Sequence, residues 1–490
     1  VTSGLPRPQQ VPACPLAELA AMLGLADRPE GTVSGVTHAS DDVQPGDLYA
    51  ALPGTRHHGA EFIPAAVAAG AAAVLTDRDL DTGVPTLIVP DPRARLGEVA
   101  ARVYGDPTAR LSVIGITGTA GKTTTAYLLE AGLRAAGRTP ALLGTVETRL
   151  GELVLDSVRT TPEATDLQAL LAVARERGID SVAMEVSSHA LALHRADGVR
   201  FAVGGWTNFG LDHLDFHADA DDYFAAKARL FDGRCRVEVL NAHDPALKEL
   251  IGPRTVTYSA AGDPAATWYA TDVTGGFEQR FVAHGPAGLV PAGVQLPGRH
   301  NVANALLAIA ALVAIGVEPD RAAAGVAGCP GVPGRLERVP GETVLGVVDY
   351  AHKPDSIVAA LAALRPVAAD RGGRLICLIG AGGERDAGKR PLMGAAAARG
   401  ADLVIVTDDN PRNEDPAAIR AQVLAGTGGE AAEVAGRREA IERAVRMAAR
   451  GDVIAVLGKG HERGQEIGGT VYPFDDRTVL TEALAGEGVR

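Results

Sequence analysis

One segment, residues 111–125 with the sequence LSVIGITGTAGKTTT, constrains this chain more than any other. A β-branched apolar run breaks at a Gly-rich turn, and Lys122 and Thr123 then open a helix. A strand that turns through Gly118 and Gly121 into a helix can cradle phosphate. Backbone N–H groups of Thr117, Gly118, Thr119, Ala120 and Gly121 converge there, and the helix N-terminus adds partial positive charge. Lys122 reaches the terminal phosphates, and the hydroxyls of Thr123 and Thr124 stand at the helix start, Thr123 placed for Mg²⁺. Ile116 takes the place of the first Gly of the usual phosphate-loop pattern. The competing reading is a plain βα turn that uses Gly for tight packing.

The rest of the composition fits a large enzyme. At 490 residues, 46% hydrophobic and 22% charged, the chain exceeds one ordinary core and suggests about three domains. A net charge of −13 excludes a general nucleic-acid binder, which needs a basic face. Small anions remain suitable ligands, because local clusters can be basic on an acidic protein. Cys14, Cys235, Cys329 and Cys377 form no Cys-x-x-Cys pair, so neither a disulfide framework nor a thiolate zinc site is indicated, and a reducing cytoplasm fits. The longest nearly pure apolar stretch, 305–315, is too short to cross a bilayer and reads as a core helix; no membrane insertion is expected. No signal peptide is read. The Pro-rich opening as far as Pro12 reads as a loose tail, and the start at Val1 as trimming.

Along the chain, apolar runs alternate with Ala-rich helices, which predicts parallel α/β layers. The fold class is α/β with three domains: a smaller α/β N-terminal domain over 1–110, a central P-loop-type ATPase with a mostly parallel sheet over 111–333, and a Rossmann-like C-terminal domain over 334–490. The first block carries strands at 47–52, 73–75 and 86–89 and a helix at 63–69. The joint before the third block reads GCPGVPG over 328–334. Strands are expected in the third block at 344–348, 375–379, 403–406 and 453–456.

Ligands of open α/β sheets collect at the carboxyl ends of strands, and here the unusual polar residues follow apolar runs. Glu185 ends a run at 181–186 and precedes Ser187, Ser188 and His189; Asn208, Asp212, His213 and Asp215 follow the run at 201–206. A carboxylate and an imidazole so placed suit Mg²⁺ near an ATP γ-phosphate, although either residue alone also reads as a helix cap or loop hydrogen-bonder. Lys227 is odder. In the helix expected at 221–231 it lies in the middle of an apolar stripe of Tyr223, Phe224, Leu230 and Phe231. An ammonium is costly to bury unpaired. It can snorkel from the edge, pair with a carboxylate, or lose its charge to a covalent change.

These residues suffice for a family resemblance. The chain resembles the Mur ligases of peptidoglycan synthesis, and within them the MurE type, which adds the third amino acid to UDP-N-acetylmuramoyl-L-alanyl-D-glutamate. The resemblance spans almost everything beyond the first dozen residues. It rests on GTAGKTTT at 118–125, TTPE at 160–163, EVSSHAL at 185–191, DHLDFH at 212–217 and GRHNVANALLA at 298–308. It continues through GRLE at 334–337, DYAHKPDS at 349–356, GERDAGKRP at 383–391, DDNPR at 408–412 and GKGHE at 458–462.

The resemblance implies a first domain that holds the uridine end of the substrate through Ser40, Thr55, Arg56 and His57, a central ATPase, and a third domain that closes over it with the incoming amino acid. By the same likeness Thr160, Thr161, Ser187 and Arg195 hold the peptidyl part, while Asn304, Arg335 and Asp349 contact ATP. The lysine matching Lys227 is carbamylated in that family, which turns a cation into an anionic ligand for a second Mg²⁺ and removes the burial problem. Glu185, His213, Thr123 and the modified Lys227 then read as metal ligands, and Lys122 as the residue offsetting phosphoryl charge. ATP and Mg²⁺ are the implied cofactors, and a monomer is expected. Ala120, Arg159 and Leu193 depart from residues common among relatives, Asn, Asn and Gln respectively.

The implied reaction phosphorylates the D-glutamyl γ-carboxylate to an acyl phosphate that an amine then attacks. Diaminopimelate, meso by the habit of this motif, is the amine expected, because Arg412 with Arg385 offers a guanidinium fork for its extra carboxylate. Asp409, Asn410, Pro411, Gly458 and Glu462 complete that receptor. Against this stands the simpler reading that Arg412 caps its own loop. The alternatives are a sister ligase adding L-lysine, a folylpolyglutamate-type ligase, and a P-loop small-molecule kinase or nucleotide switch that consumes ATP without an amine.

Overall fold

The computed structural model describes residues 4–486. These residues part into two compact units, one of 4–270, 283–290 and 303–326, the other of 271–282, 291–302 and 327–486. In the first unit four parallel strands, Gly35–Thr37, Asp47–Ala50, Ala73–Thr76 and Thr86–Ile88, make a small sheet. The helix Pro92–Val103 packs its buried face of Leu96, Val99, Ala100 and Val103 into the core beside that sheet. Asp91 caps this helix by accepting the Ala94 N–H at 3.0 Å, and Pro92 supplies a ring that suits the first helical turn.

The second sheet of this unit is built around Ser112–Thr117, which pairs in parallel with Ser181–Glu185 on one side and Phe201–Trp206 on the other. Pro140–Leu143 extends it on the first side, and Cys235–Asn241 and Thr255–Ser259 on the second, all parallel. The chain passes from Ser181–Glu185 to Phe201–Trp206 across the central strand, so a crevice opens at the carboxyl ends there. Both faces are covered, and Val113, Ile114 and Ile116 are buried, as a parallel sheet requires. Residues 305–314 lie inside the helix Arg299–Ala314, and 305–312 are buried apolar residues, which fits the core-helix reading. Among the described residues no helix is long and apolar enough to cross a membrane.

In the other unit the order is Glu337–Pro340, Leu345–Asp349, Val453–Leu457, Leu375–Ile379, Leu403–Val406, Ala431–Glu433. Only the first pair is antiparallel. Arg437 and Asp476 are fully buried and form a two-point ion pair at 2.6–2.7 Å behind the strand ends. A hairpin of Gly464–Ile467 and Thr470–Pro473 stands apart from this sheet.

Three expectations need correction. The opening segment is tied down from residue 5 onward: Arg7 pairs with Asp47 at 2.6 Å, and the N–H groups of Gln9 and Gln10 reach the Glu176 carboxylate at 3.0 and 2.7 Å. Leu5 packs on a core as well. Val1 lies outside the described residues. The helix expected at 221–231 is α-helical over Ala220–Ala228 and tightens to a 3₁₀ turn over Arg229–Phe231. Strands unexpected from the sequence occur at Glu147–Leu150, Leu153–Asp156, Trp268–Thr274, Gln279–Gly285 and Gly288–Val294.

Candidate active site

The loop after Ser112–Thr117 is built for close approach. Gly118 has φ 136° and Gly121 φ 87°, a region that disfavours any side chain. A Cβ on Gly118 would overlap Thr207 Oγ1 outright, and one on Gly121 would meet Asn304 Oδ1 at 2.5 Å. The loop is braced from the neighbouring strand end. Asn208 Oδ1 accepts the Ala120 N–H at 3.1 Å, its Nδ2 donates to the Ala120 carbonyl at 3.0 Å, and its own carbonyl accepts the Thr119 N–H at 2.9 Å. Thr207 Oγ1 donates to the Ala120 carbonyl at 2.5 Å, and Thr119 Oγ1 to the Gly210 carbonyl at 3.0 Å. Asn208 and Thr207 fix the loop, yet no phosphate-loop pattern names them. Their signal is position alone, directly after an apolar strand.

Lys122 Nζ donates to the carbonyls of Gly118 and Thr119 at 2.8 and 3.1 Å, which holds its ammonium over the loop. Thr123 and Thr124 are buried at the start of the helix Lys122–Ala135. Thr123 Oγ1 donates to Glu185 Oε2 at 3.0 Å, and Glu185 also takes the Thr145 N–H and hydroxyl at 2.7 and 3.0 Å. Glu185 is 1% exposed, so those donors are what makes a carboxylate tolerable there.

Lys227 is 1% exposed too, which rules out snorkelling. Its Nζ donates to the Gly118 carbonyl at 2.9 Å and lies 4.4 Å from the Tyr223 ring centroid. Tyr223 in turn bonds Thr119 Oγ1 at 3.2 Å. The structure thus brings Lys227, Lys122, Thr123 and Glu185 to one loop. His213 lies on the rim with φ 53° and a side chain 40% exposed, 4.8 Å from the His189 ring and 6.1 Å from Tyr223. Among the described residues no three His, Cys, Asp or Glu side chains make a ready metal cage. The oxygen donors Thr123 and Glu185 fit Mg²⁺, which takes few protein ligands and completes its shell with phosphate and water.

The residues assigned to the peptidyl part surround this centre. Thr161 Oγ1 donates to the Glu185 carbonyl at 2.9 Å and accepts the Ser187 N–H at 3.1 Å. Ser187 Oγ caps the helix Ser188–Ala192, and Thr160 bonds Thr145 at 3.0 Å. Arg195 pairs with Glu163 at 2.8 Å, with Arg159 and Arg93 within 3.7 and 3.8 Å of the same carboxylate. In the small sheet's loops Ser40 opens the 3₁₀ turn Ser40–Asp42, while Thr55, Arg56 and His57 are exposed.

In the second unit Asp349 is buried at the end of Leu345–Asp349, where it accepts the N–H groups of Leu336 and Ala351 at 2.7 and 2.8 Å. Burial pushes its carboxyl above the usual range, against the pull of Arg335 and these bonds. The Arg335 guanidinium stacks 4.8 Å from the Tyr350 ring centroid, and the His461 ring lies 5.1 Å from the same ring. Burial, with the charge of Arg335, lowers His461 to about 4.

The strand-end loops of this sheet gather the residues expected to receive the amino acid. Arg412, φ 53°, donates from Nη1 to the Gly383 carbonyl at 2.6 Å and from Nε to Glu466 at 3.1 Å. It therefore reaches two other loops rather than capping its own. A Cβ on Gly382 would lie 3.1 Å from Arg412 Nη1 and 3.7 Å from Arg385 Cγ, so both arginines border one backbone. Asn410 Nδ2 donates to Glu462 at 2.9 Å, and Asp409 is buried beside it with the Arg437 guanidinium at 3.8 Å. Pro411 precedes Arg412, and Gly458 packs with its backbone against the Asp409 carboxylate. Lys459, fully buried, joins Asn410 Oδ1 at 3.0 Å, Glu462 at 3.2 Å and the Gly464 carbonyl at 2.6 Å. The sequence reading gave no role to Lys459, which lies inside the GKGHE motif, or to Glu466, whose only signal is its place shortly after that motif.

Known proteins share the family and the fold of this chain. Three family profiles match in order: Mur ligase family, catalytic domain, over 32–104; Mur ligase middle domain over 116–312; and Mur ligase, glutamate ligase domain, over 334–460. A UDP-N-acetylmuramoyl-L-alanyl-D-glutamate–2,6-diaminopimelate ligase of Streptomyces avermitilis is 52% identical over 98% of both chains. A solved structure of a UDP-N-acetylmuramoyl-L-alanyl-D-glutamate–2,6-diaminopimelate ligase aligns with TM-score 0.72 at 31% identity, over 98% of this chain and 100% of the other. The MurF ligase of Thermotoga maritima in complex with ADP shares the fold, with TM-score 0.62 at 17% identity over 93% and 96% of the two chains. This three-domain α/β chain belongs to the Mur ligase family.

Proposed function

We propose that the protein is the ATP- and Mg²⁺-dependent ligase that joins 2,6-diaminopimelate, in its meso form, to the D-glutamyl γ-carboxylate of UDP-N-acetylmuramoyl-L-alanyl-D-glutamate in peptidoglycan synthesis. It acts as a cytoplasmic monomer. Residues 1–110 hold the uridine end, 111–333 carry the ATPase, and 334–490 carry the amino acid. The observation that carries the choice of amine is the Arg412 guanidinium, fixed by Gly383 and Glu466. The 52% identity with the Streptomyces ligase over 98% of both chains supports the same reading.

The chemistry follows from the weakness of a carboxylate as an acyl donor. Transfer of the ATP γ-phosphoryl group to the D-glutamyl γ-carboxylate gives an acyl phosphate, the amine attacks its carbonyl carbon, and phosphate leaves. No nucleophilic side chain is required. The Gly118–Gly121 loop holds the phosphates by backbone N–H groups, and Lys122 offsets charge on the transferring group. Thr123, Glu185, His213 and carbamylated Lys227 would hold Mg²⁺, which would supply positive charge against the phosphates. A carbamate on Lys227 keeps one N–H, enough to retain the bond to the Gly118 carbonyl while removing the buried ammonium. Asn304, Arg335 and Asp349 contact ATP, while Thr160, Thr161, Ser187 and Arg195 hold the peptidyl part, and Ser40, Thr55, Arg56 and His57 the uridine end. Arg385, Asp409, Asn410, Pro411, Arg412, Gly458 and Glu462 receive the amino acid.

The test combines purified protein, ATP, Mg²⁺ and the UDP-dipeptide with diaminopimelate or L-lysine, reading phosphate release and product mass. Diaminopimelate should be the substrate, and Arg412→Ala should lower its kcat/KM by about ten- to a hundredfold, as expected for a lost charged hydrogen bond. A wild type that prefers lysine, or an unchanged selectivity in the variant, refutes the assignment.

A further inference from the structure

We propose that Glu466 is a specificity-determining residue of the amino-acid receptor. With Arg412 it forms a charge pair matched to a zwitterionic end, its carboxylate taking the distal ammonium of diaminopimelate. The inference rests on the ligase reading above and goes beyond it to a residue outside the family motifs.

The geometry separates what Glu466 does for the fold from what its carboxylate is left to do. The hairpin Gly464–Ile467 and Thr470–Pro473 is fastened to the loop of Asp409 to Arg412 by main-chain and amide groups. The Arg412 N–H donates to the Glu466 carbonyl at 3.0 Å, and the Gly468 N–H to the Arg412 carbonyl at 2.7 Å. Glu466 N–H donates to Asn410 Oδ1 at 3.1 Å, and Gln465 Nε2 to the Asp409 carbonyl at 2.6 Å. None of these bonds uses the Glu466 carboxylate. That group accepts Arg412 Nε–H through Oε2 at 3.1 Å, its Oε1 makes no hydrogen bond among the described residues, and the side chain is 38% exposed.

Arg412 is complementary in the same sense. A guanidinium has five N–H donors. Nε–H goes to Glu466 and one Nη1–H to Gly383, and among the described residues no acceptor takes the Nη2 hydrogens, so the fork keeps donors for a carboxylate. The fork and the Glu466 carboxylate, 3.1 Å apart, are thus adjacent groups of opposite charge. The distal carbon of diaminopimelate bears a carboxylate and an ammonium together, so it matches both. L-Lysine offers only the ammonium and leaves the fork unmatched; 2-aminopimelate offers only the carboxylate. Such two-sided matching discriminates more strongly than one attractive contact. Glu462 is the competing acceptor for the ammonium, but Asn410 Nδ2 and the buried Lys459 ammonium already engage it at 2.9 and 3.2 Å. Among the described residues Glu466 is balanced by Arg412 alone, and that balance loosens once substrate claims the fork.

The experiment measures kcat/KM for meso-diaminopimelate and for 2-aminopimelate, which lacks the distal amino group, in the wild type and in Glu466→Gln. Glutamine keeps an oxygen for Arg412 Nε–H, so the fork stays oriented. Expected is a fall of about ten- to a hundredfold for diaminopimelate, mainly through KM, with little change for 2-aminopimelate. An equal fall for both substrates means that Glu466 only orients Arg412 and overturns the proposal, as does no fall for either. Should thermal melting show Glu466→Gln unfolded, Glu466→Asp retains the charge, and the same comparison decides: the shortened carboxylate must penalise diaminopimelate selectively. A wild type that rejects diaminopimelate overturns the ligase reading itself, whatever the variants do.

Discussion

Gly118→Ala places a methyl group where the phosphate loop has no room, and its cost can be worked from two separable terms. The added carbon overlaps Thr207 Oγ1 and would lie 3.1 Å from Thr207 Cβ and 3.2 Å from the Asn208 nitrogen. Thr207 cannot simply rotate away, because its hydroxyl donates to the Ala120 carbonyl at 2.5 Å. Overpacking of this kind costs about 1–3 kcal/mol. A φ of 136° adds backbone strain of about 1–3 kcal/mol for any side chain. The cheapest relief is displacement of the loop, and a shift of about 1 Å in a positioning element can cost on the order of a hundredfold in rate. Gly137→Ala isolates the strain term: φ is 78° there and nothing lies within 4 Å of the added carbon. The assay is steady-state phosphate release with substrate-dependent ADP formation, beside calorimetric ATP binding and thermal unfolding of both variants. Gly137→Ala should melt slightly earlier and turn over normally. Gly118→Ala should remain folded and lose roughly two orders of magnitude in kcat/KM for ATP. A Gly118→Ala enzyme with wild-type ATP kinetics would refute the reasoning, because the loop could then not be the phosphate cradle.

Two further outcomes are expected. Lys227→Ala should be nearly inactive, with partial rescue by a short carboxylic acid, and depletion of bicarbonate should slow the wild type reversibly; full activity in carbon-dioxide-free buffer would exclude carbamylation. His461, held at about 4 against an ordinary 6.5, takes up its proton more readily unfolded than folded, so its contribution is present above about pH 6.5 and is lost as pH falls toward 4. Urea midpoints at pH 7 and pH 5 should therefore differ less in His461→Asn than in the wild type, and an unchanged difference would show that the ring does not carry the effect.

Much of the site was legible because a parallel sheet covered on both faces leaves little place for polar side chains except its strand ends. Glu185, Asn208, Asp349 and the segment at Asp409 all fall where an apolar run stops, and a reader of periodicity finds them without knowing which strands are neighbours. The same logic explains what was missed. Glu147–Leu150 alternates half-buried with buried residues and Leu153–Asp156 half-buried with exposed ones, over only four positions each, too short for the pattern to stand out from a loop. The opening segment reads as polar and Pro-rich, yet Arg7 finds Asp47 forty residues away and Gln10 finds Glu176. Those partners are set by packing, not by local propensity.

Lys227 marks the boundary between the two kinds of information. Its place within an apolar stripe is local and can be read from eleven residues of helix, and it says that an ammonium is being forced out of water. What receives that ammonium is not local: Gly118 is 109 positions away and becomes its neighbour at 2.9 Å only after the strand Ser112–Thr117 is laid beside Phe201–Trp206. Glu466 and Lys459 sit on the far side of the same boundary. Neither breaks an apolar pattern or completes a phosphate or metal motif, and each acquires meaning from the group it touches, Arg412 for one and Asn410 with Glu462 for the other. A motif can therefore locate some groups of the candidate site, whereas others are found only once the loops are brought together.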